Sequence, residues 1–132
     1  MAGVAETQLL PEADIKHLVD KGYRYTMDAE RGAVNVILHG YELPAAYMPQ
    51  VCDLLVRIPA GYPNANPDMF WTSPDILCRN GSCPKSSETR ETYAGRTWQR
   101  WSRHLPPGTW RPGTDTIQSF LRAVRKEIDK GI

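Results

Sequence analysis

The stretch Val51-Cys52-Asp53-Leu54-Leu55-Val56-Arg57-Ile58-Pro59-Ala60-Gly61-Tyr62-Pro63 decides the architecture. Its first eight residues are a short, strongly apolar run, which reads as a central strand. Pro59 ends that strand, because its ring fixes φ and removes a donor from the ladder. Pro63 and Pro67 keep the chain out of regular structure until Met69-Phe70-Trp71-Thr72, a short fourth strand. Upstream, Tyr23, Tyr25 and Met27 alternate with Arg24 and Thr26, and Val34, Val36 and Leu38 continue the period-2 pattern to Gly40. Asp28 to Gly32 is the polar turn between those two strands, and Tyr41 to Gln50 connects them to the central one.

Helices flank this set. From Pro11 to Asp20, Ile15, Leu18 and Val19 recur at helical spacing with Glu12 and Asp14 in the first turn, and Gly22 stops the helix. A closing helix is expected from about Thr114, with Ile117, Phe120, Leu121, Val124 and Ile128 on its apolar face. Residues 75–109 carry no clear periodicity and are expected to be a long functional loop, its second half an ordered flap anchored by Trp98 and Trp101. The expected fold class is α+β: an N-terminal helix, a four-stranded antiparallel meander, a long loop and a C-terminal helix.

The 132 residues make one domain, 1–132, with a 41% hydrophobic fraction and a formal charge of +1. That balance argues against a polybasic nucleic-acid coat, although the Arg–Trp alternation from Arg96 to Arg103 would suit stacked bases. No apolar run approaches a membrane span, and the N-terminus lacks the regions of a signal peptide. Three cysteines fit reduced thiols in a cytoplasmic protein better than a disulfide framework. Cys52 reads as a small core residue. Cys78 and Cys83 would make only half a zinc site, with no second pair, so no metal and no cofactor are expected.

In the long loop, Asn80-Gly81-Ser82 is a sharp turn that presents Cys83. Here the residues resemble the ubiquitin-conjugating (UBC) family. Ile58-Pro59-Ala60-Gly61-Tyr62-Pro63 with Pro67, Met69, Trp71 and Thr72 is similar to that family's proline-rich signature. Ser73-Pro74-Asp75-Ile76 stands where the family has His-Pro-Asn-Ile, and Asn80-Gly81-Ser82-Cys83 resembles its approach to the active-site cysteine. Trp110-Arg111-Pro112 is similar to its Trp-Ser-Pro step into the next helix. The chain stops where typical members add two more helices, and it looks like a compact prokaryotic relative.

The resemblance implies a UBC-like fold and an enzyme that accepts a ubiquitin-like modifier protein from a ThiF-type activating enzyme. The modifier would be held as a thioester on Cys83 and passed to an amine, with neither nucleic acid nor membrane as partner. It implies further that Lys16, His17, Lys21 and Arg24 lie where the first helix docks the activating enzyme. Asp75 replaces an asparagine whose amide helps hold the tetrahedral intermediate, and a carboxylate has no such donor. Asp75 is then free to orient an amine or a histidine. His104 is the candidate base for the amine, and Arg79 and Lys85 flank the thiol with positive charge.

Against the family spacing, Cys83 and Trp110 are separated by an insertion, roughly Ser86 to His104. Counting back from Trp110 by the family's spacing lands on Ser102, which makes a serine acceptor the competing assignment. The other class of reading is a catalytically inactive UBC-like binding module that only recruits a modifier or its activating enzyme.

Overall fold

The computed structural model describes residues 9–106 and 108–130. Helix α1 (Glu12–Asp20) leads into β1 (Arg24–Glu30) and β2 (Ala33–Glu42), with the short β3 (Tyr47–Met48) before the central β4 (Val51–Pro59). Then come β5 (Phe70–Ser73), the short β6 (Leu77–Cys78), β7 (Thr89–Tyr93), β8 (Arg96–Trp101) and helix α2 (Ile117–Asp129). The expected meander is present as β1-β2-β4-β5, antiparallel throughout, with Val36 opposite Val56 and Leu55 opposite Trp71.

The sheet does not end there. The flap continues it as β8 and β7, giving six strands in the order β1-β2-β4-β5-β8-β7. The insertion is therefore a hairpin that pairs with β5. Its turn, Ala94-Gly95, has both residues at positive φ (51° and 70°), as does Arg31-Gly32 between β1 and β2 (53° and 76°). Two-residue turns of this hand match the twist of the strands they join.

Strand alternation divides the core between two faces. Val36, Leu38, Leu54, Val56, Ile58, Phe70 and Trp101 face the helices and pack with Leu18 of α1 and Ile117, Phe120, Leu121, Val124 and Ile128 of α2. Ile37, Leu55 and Trp71 face the other way and are covered by Trp98, with Tyr93 and Ala94 beside it. Trp98 and Trp101 thus anchor opposite faces, since residues three apart on a strand point apart. A latch holds the hairpin tip: Glu30 Oε1 accepts from the Ala94 amide at 2.9 Å and from Asn35 Nδ2 at 2.7 Å.

Helix α2 starts two residues later than the sequence suggests. Its cap is Thr116, whose hydroxyl accepts from the Gln118 amide at 3.2 Å while Ser119 Oγ accepts from the Thr116 amide at 2.9 Å. Thr114 lies in the preceding turn instead, its amide bonded to Arg111 O. Trp110 is half-buried rather than sealed: its ring leans on Tyr62 and its Nε1 donates to Pro63 O at 2.8 Å.

Candidate active site

The loop carrying Cys83 is shaped by its own backbone. Gly81, at φ +86°, lets its amide turn back to Cys78 O at 2.9 Å, and the Cys78 amide reaches Ser82 O at 2.8 Å. Asn80 Oδ1 accepts from both the amide (3.0 Å) and the hydroxyl (2.6 Å) of Ser82. The loop is fixed to the body by the β3–β6 pair, by the Arg79 amide on Ala46 O at 2.9 Å, and by Arg79 Nε on Ala45 O. These bonds leave Cys83 at the lip, half-buried, whereas Cys52 and Cys78 are buried. Burial, with Asp53 adding to it, pushes the Cys52 thiol up to about 12.

Behind Cys83 runs a buried polar chain. Its Sγ lies 3.1 Å from Ser87 Oγ, and Ser87 also donates to Pro84 O at 2.6 Å. Gln99 Nε2 donates to Ser87 Oγ at 3.2 Å and to Ile76 O at 3.0 Å. Gln99 Oε1 accepts from the Ile76 amide at 2.6 Å and from Thr72 Oγ1 at 3.2 Å, and Trp101 Nε1 donates to Thr72 Oγ1 at 2.9 Å. Ser87, Gln99 and Thr72 are fully buried, so each polar atom needs these partners. The inserted hairpin therefore supplies Gln99, which clamps the segment leading to the cysteine. Sequence reasoning missed both Ser87 and Gln99. A polar residue at a core-facing position of β8, in step with Trp101, is the only signal that pointed to Gln99.

The other residues singled out from the sequence go to separate places. Asp75 is ion-paired with Arg90 of β7 (Nε to Oδ1, 2.9 Å), and Arg90 also donates to Ser87 O at 3.0 Å. Asp75 is thus connected to the cysteine's surroundings through Arg90, and not to a histidine. His104 Nδ1 pairs with Asp68 at 2.8 Å and lines a cavity with Phe70, Phe120 and Val124, on the α2 side of the sheet. Ser102 accepts from Arg100 Nε at 2.9 Å, and its amide bonds Ser86 O at 2.8 Å. Arg103 donates to Lys85 O and to Glu127 O, tying the loop to α2.

A second feature lies between α1, the β1–β2 end and α2. This groove of about 650 Å³ is lined by His17, Lys21, Arg24, His39, Arg122 and Arg125, with Glu42 the acidic group among its lining residues. Among the described residues, Lys21, Arg24 and Arg122 enter no ion pair. Burial, with Lys21 and Arg122 beside it, holds His17 below the ordinary imidazole value. Among the described residues no helix is long and apolar enough to cross a membrane.

An N-terminal helix, an antiparallel meander, a proline-rich exit from the central strand and a cysteine loop ahead of the closing helix define the E2-like class of conjugating proteins. A family model described as prokaryotic E2 family E matches residues 10–131, and the chain belongs to that family. Membership makes it a protein of the E2-like conjugating-enzyme kind, one that works with a modifier protein and its activating enzyme. No curated protein and no solved structure matches the chain.

Proposed function

We propose that the chain is a carrier that receives a ubiquitin-like modifier from a ThiF-type activating enzyme as a thioester on Cys83 and passes it to an amine. One observation carries this reading. Of three free cysteines, Cys83 alone is not buried, and it sits on a loop braced at both ends. Its thiolate attacks the carbonyl carbon of the incoming thioester, a new C–S bond forms, and the activating enzyme's sulfur leaves. The amine then attacks the same carbonyl carbon: a C–N bond forms, the C–S bond to Cys83 breaks, the Cys83 thiolate leaves, and the proton lost by the amine goes to a base or solvent.

The same reading assigns the remaining roles. The donors that a carboxylate lacks are carried by the guanidinium Asp75 holds, so the Asp75–Arg90 pair stands in for an amide near the developing oxyanion. For the transfer step we assign His104, its ring held by Asp68 on the α2 side of the sheet and bonded to neither Cys83 nor Asp75, as base for an amine that enters from that side. The cationic groove beside α1 receives the activating enzyme, its unpaired Lys21, Arg24 and Arg122 meeting acidic side chains. The test is to supply modifier, activating enzyme and ATP. An adduct that forms on the wild type, is cleaved by thiol reductant and is absent from Cys83→Ala supports the carrier. No adduct with the correct partners present makes the protein a binding module.

A further inference from the structure

The hydroxyl of Ser87 has one proton and two lone pairs to share among three neighbours. Pro84 O, at 2.6 Å, can only accept, so the Ser87 proton points there. Gln99 can present only its amino group to Ser87. Its oxygen is required by the Ile76 amide at 2.6 Å and its nitrogen by Ile76 O at 3.0 Å, which fixes the orientation of the carboxamide. One lone pair remains, and it faces Cys83 Sγ at 3.1 Å. At rest the Cys83 S–H therefore donates to Ser87.

That arrangement suits a thiol and opposes a thiolate, because an anionic sulfur would face a lone pair. Rotation of one hydroxyl reverses it. If Ser87 turns its O–H from Pro84 O to the sulfur, no heavy atom need move. The bond from Gln99 persists and polarises the hydroxyl further. The bond gained is charge-assisted and stronger than the neutral one given up. Ser87 is fully buried, so its rotation is confined to these partners.

We propose that Ser87 is a hydrogen-bond switch for Cys83, accepting from the thiol at rest and donating to the thiolate that attacks. This rests on Cys83 being the acceptor, and it adds the group that prepares it. Cys83 releases its proton to water as the Ser87 O–H swings onto the sulfur. The thiolate then forms a C–S bond to the modifier's carbonyl carbon, the bond to the activating enzyme's sulfur breaks, and that thiolate takes a proton from solvent. Once the thioester exists, the Ser87 proton returns to Pro84 O.

The test needs neither modifier nor activating enzyme. The full chain is alkylated with iodoacetamide at pH 7 and modification of Cys83 is followed by peptide mass spectrometry, for wild type, Ser87→Ala and Ser87→Thr. Loss of a hydrogen bond to a charged group predicts alkylation about tenfold slower in Ser87→Ala. Ser87→Thr, which keeps the hydroxyl, retains most of the rate. Circular dichroism checks that both variants fold. Alkylation of Ser87→Ala as fast as wild type, or faster, overturns the switch, since the serine would then only hold the thiol. Should the variants fail to fold, the S–H stretching band of the wild type decides, taken as a Raman difference against Cys83→Ala. A band shifted down by donation to Ser87 supports the resting state, and a band at the free-thiol position overturns it. Failure to load modifier while the alkylation effect persists removes the carrier reading and leaves Ser87's effect on the thiol. Normal loading with no alkylation effect removes only the switch.

Discussion

Gln99 holds both backbone groups of Ile76: its Oε1 accepts from the Ile76 amide at 2.6 Å and its Nε2 donates to the Ile76 carbonyl at 3.0 Å. The pair joins the inserted hairpin to the segment between β5 and the cysteine loop. The insertion is consequently part of the site's frame, and removing it would release that segment. Replacing Gln99 by alanine orphans two buried backbone groups, each costing about 1–3 kcal/mol. Chemical denaturation of Gln99→Ala should show that loss, and alkylation of Cys83 should lose its dependence on Ser87. A loss below about 1 kcal/mol would mean that water takes over the bonds.

The three cysteines should separate by reactivity. Under native conditions a thiol reagent should label Cys83, while buried Cys52 and Cys78 should react only after denaturation. Burial raises the folded-state value of Cys52, so its stabilising contribution is complete below the ordinary thiol range and is lost as pH rises toward about 12. Thermal melts across that window should fall less steeply for Cys52→Ala than for the wild type. Equal slopes would show that Cys52 is not held in its neutral form.

The latch at the hairpin tip should be sensitive to acid. Hydrogen bonds from the Ala94 amide, and then from Asn35, hold the Glu30 carboxyl below the usual glutamate range. A depressed value means the contribution is present above the unfolded carboxylate value and disappears as pH falls through the folded one. Glu30→Gln keeps an acceptor oxygen but does not titrate. Its melting temperature should lie below that of the wild type near neutrality, and the two should converge in acid. A constant difference across the range would sink this account.

Among the site variants, Cys83→Ser should load slowly and give an adduct that resists reductant, because a hydroxyl is the weaker nucleophile and an ester the poorer donor. Arg90→Ala should slow loading more than Asp75→Ala, since it removes the guanidinium donors along with the 2.9 Å ion pair, whereas Asp75→Ala only releases them. His104→Ala should leave loading nearly intact and slow transfer to an amine. Ser102→Ala should do neither. If loading survives Cys83→Ala, vanishes with Ser102→Ala and leaves a reductant-stable adduct, the acceptor is Ser102.

The tryptophans should differ in cost according to their packing. Trp101, fully buried between Phe70 and Tyr47, should lose about 3–5 kcal/mol on truncation to alanine. Trp110 leans on Tyr62 while half-exposed, and its truncation should cost clearly less. Denaturant midpoints for the two variants give the comparison directly. An equal or larger loss for Trp110→Ala would place the main anchor at the foot of α2.

Local chemistry settled much of this protein in advance. Alternation over Tyr23–Leu38, the apolar run ending at Pro59 and the helical spacing after Thr116 reflect interactions between near neighbours, and each became the expected element. The turn at Asn80-Gly81-Ser82 was equally legible, because its bonds close within five residues. The hairpin could have been read too. Tyr93-Ala94-Gly95-Arg96 repeats the turn of Glu30-Arg31-Gly32-Ala33, but isolated two-stranded pairing has weak local signals and its stability comes from β5 and the cover over Trp71.

What the sequence by itself determined is the α+β order, the family motifs and the cysteine that the loop presents. Which polar groups surround that cysteine was decided only by tertiary structure. Ser87 meets Cys83 through a turn of the loop, Gln99 reaches Ile76 across 23 residues, and Asp75 finds Arg90 rather than His104. The pairings of Ser87 and Gln99 follow from burial, and that of Asp75 with Arg90 from the approach of β7 at the surface; none follows from spacing. Once β8 and the helices exclude water, each buried donor must take the acceptor the packing leaves nearest, and no pattern along the chain carries that information.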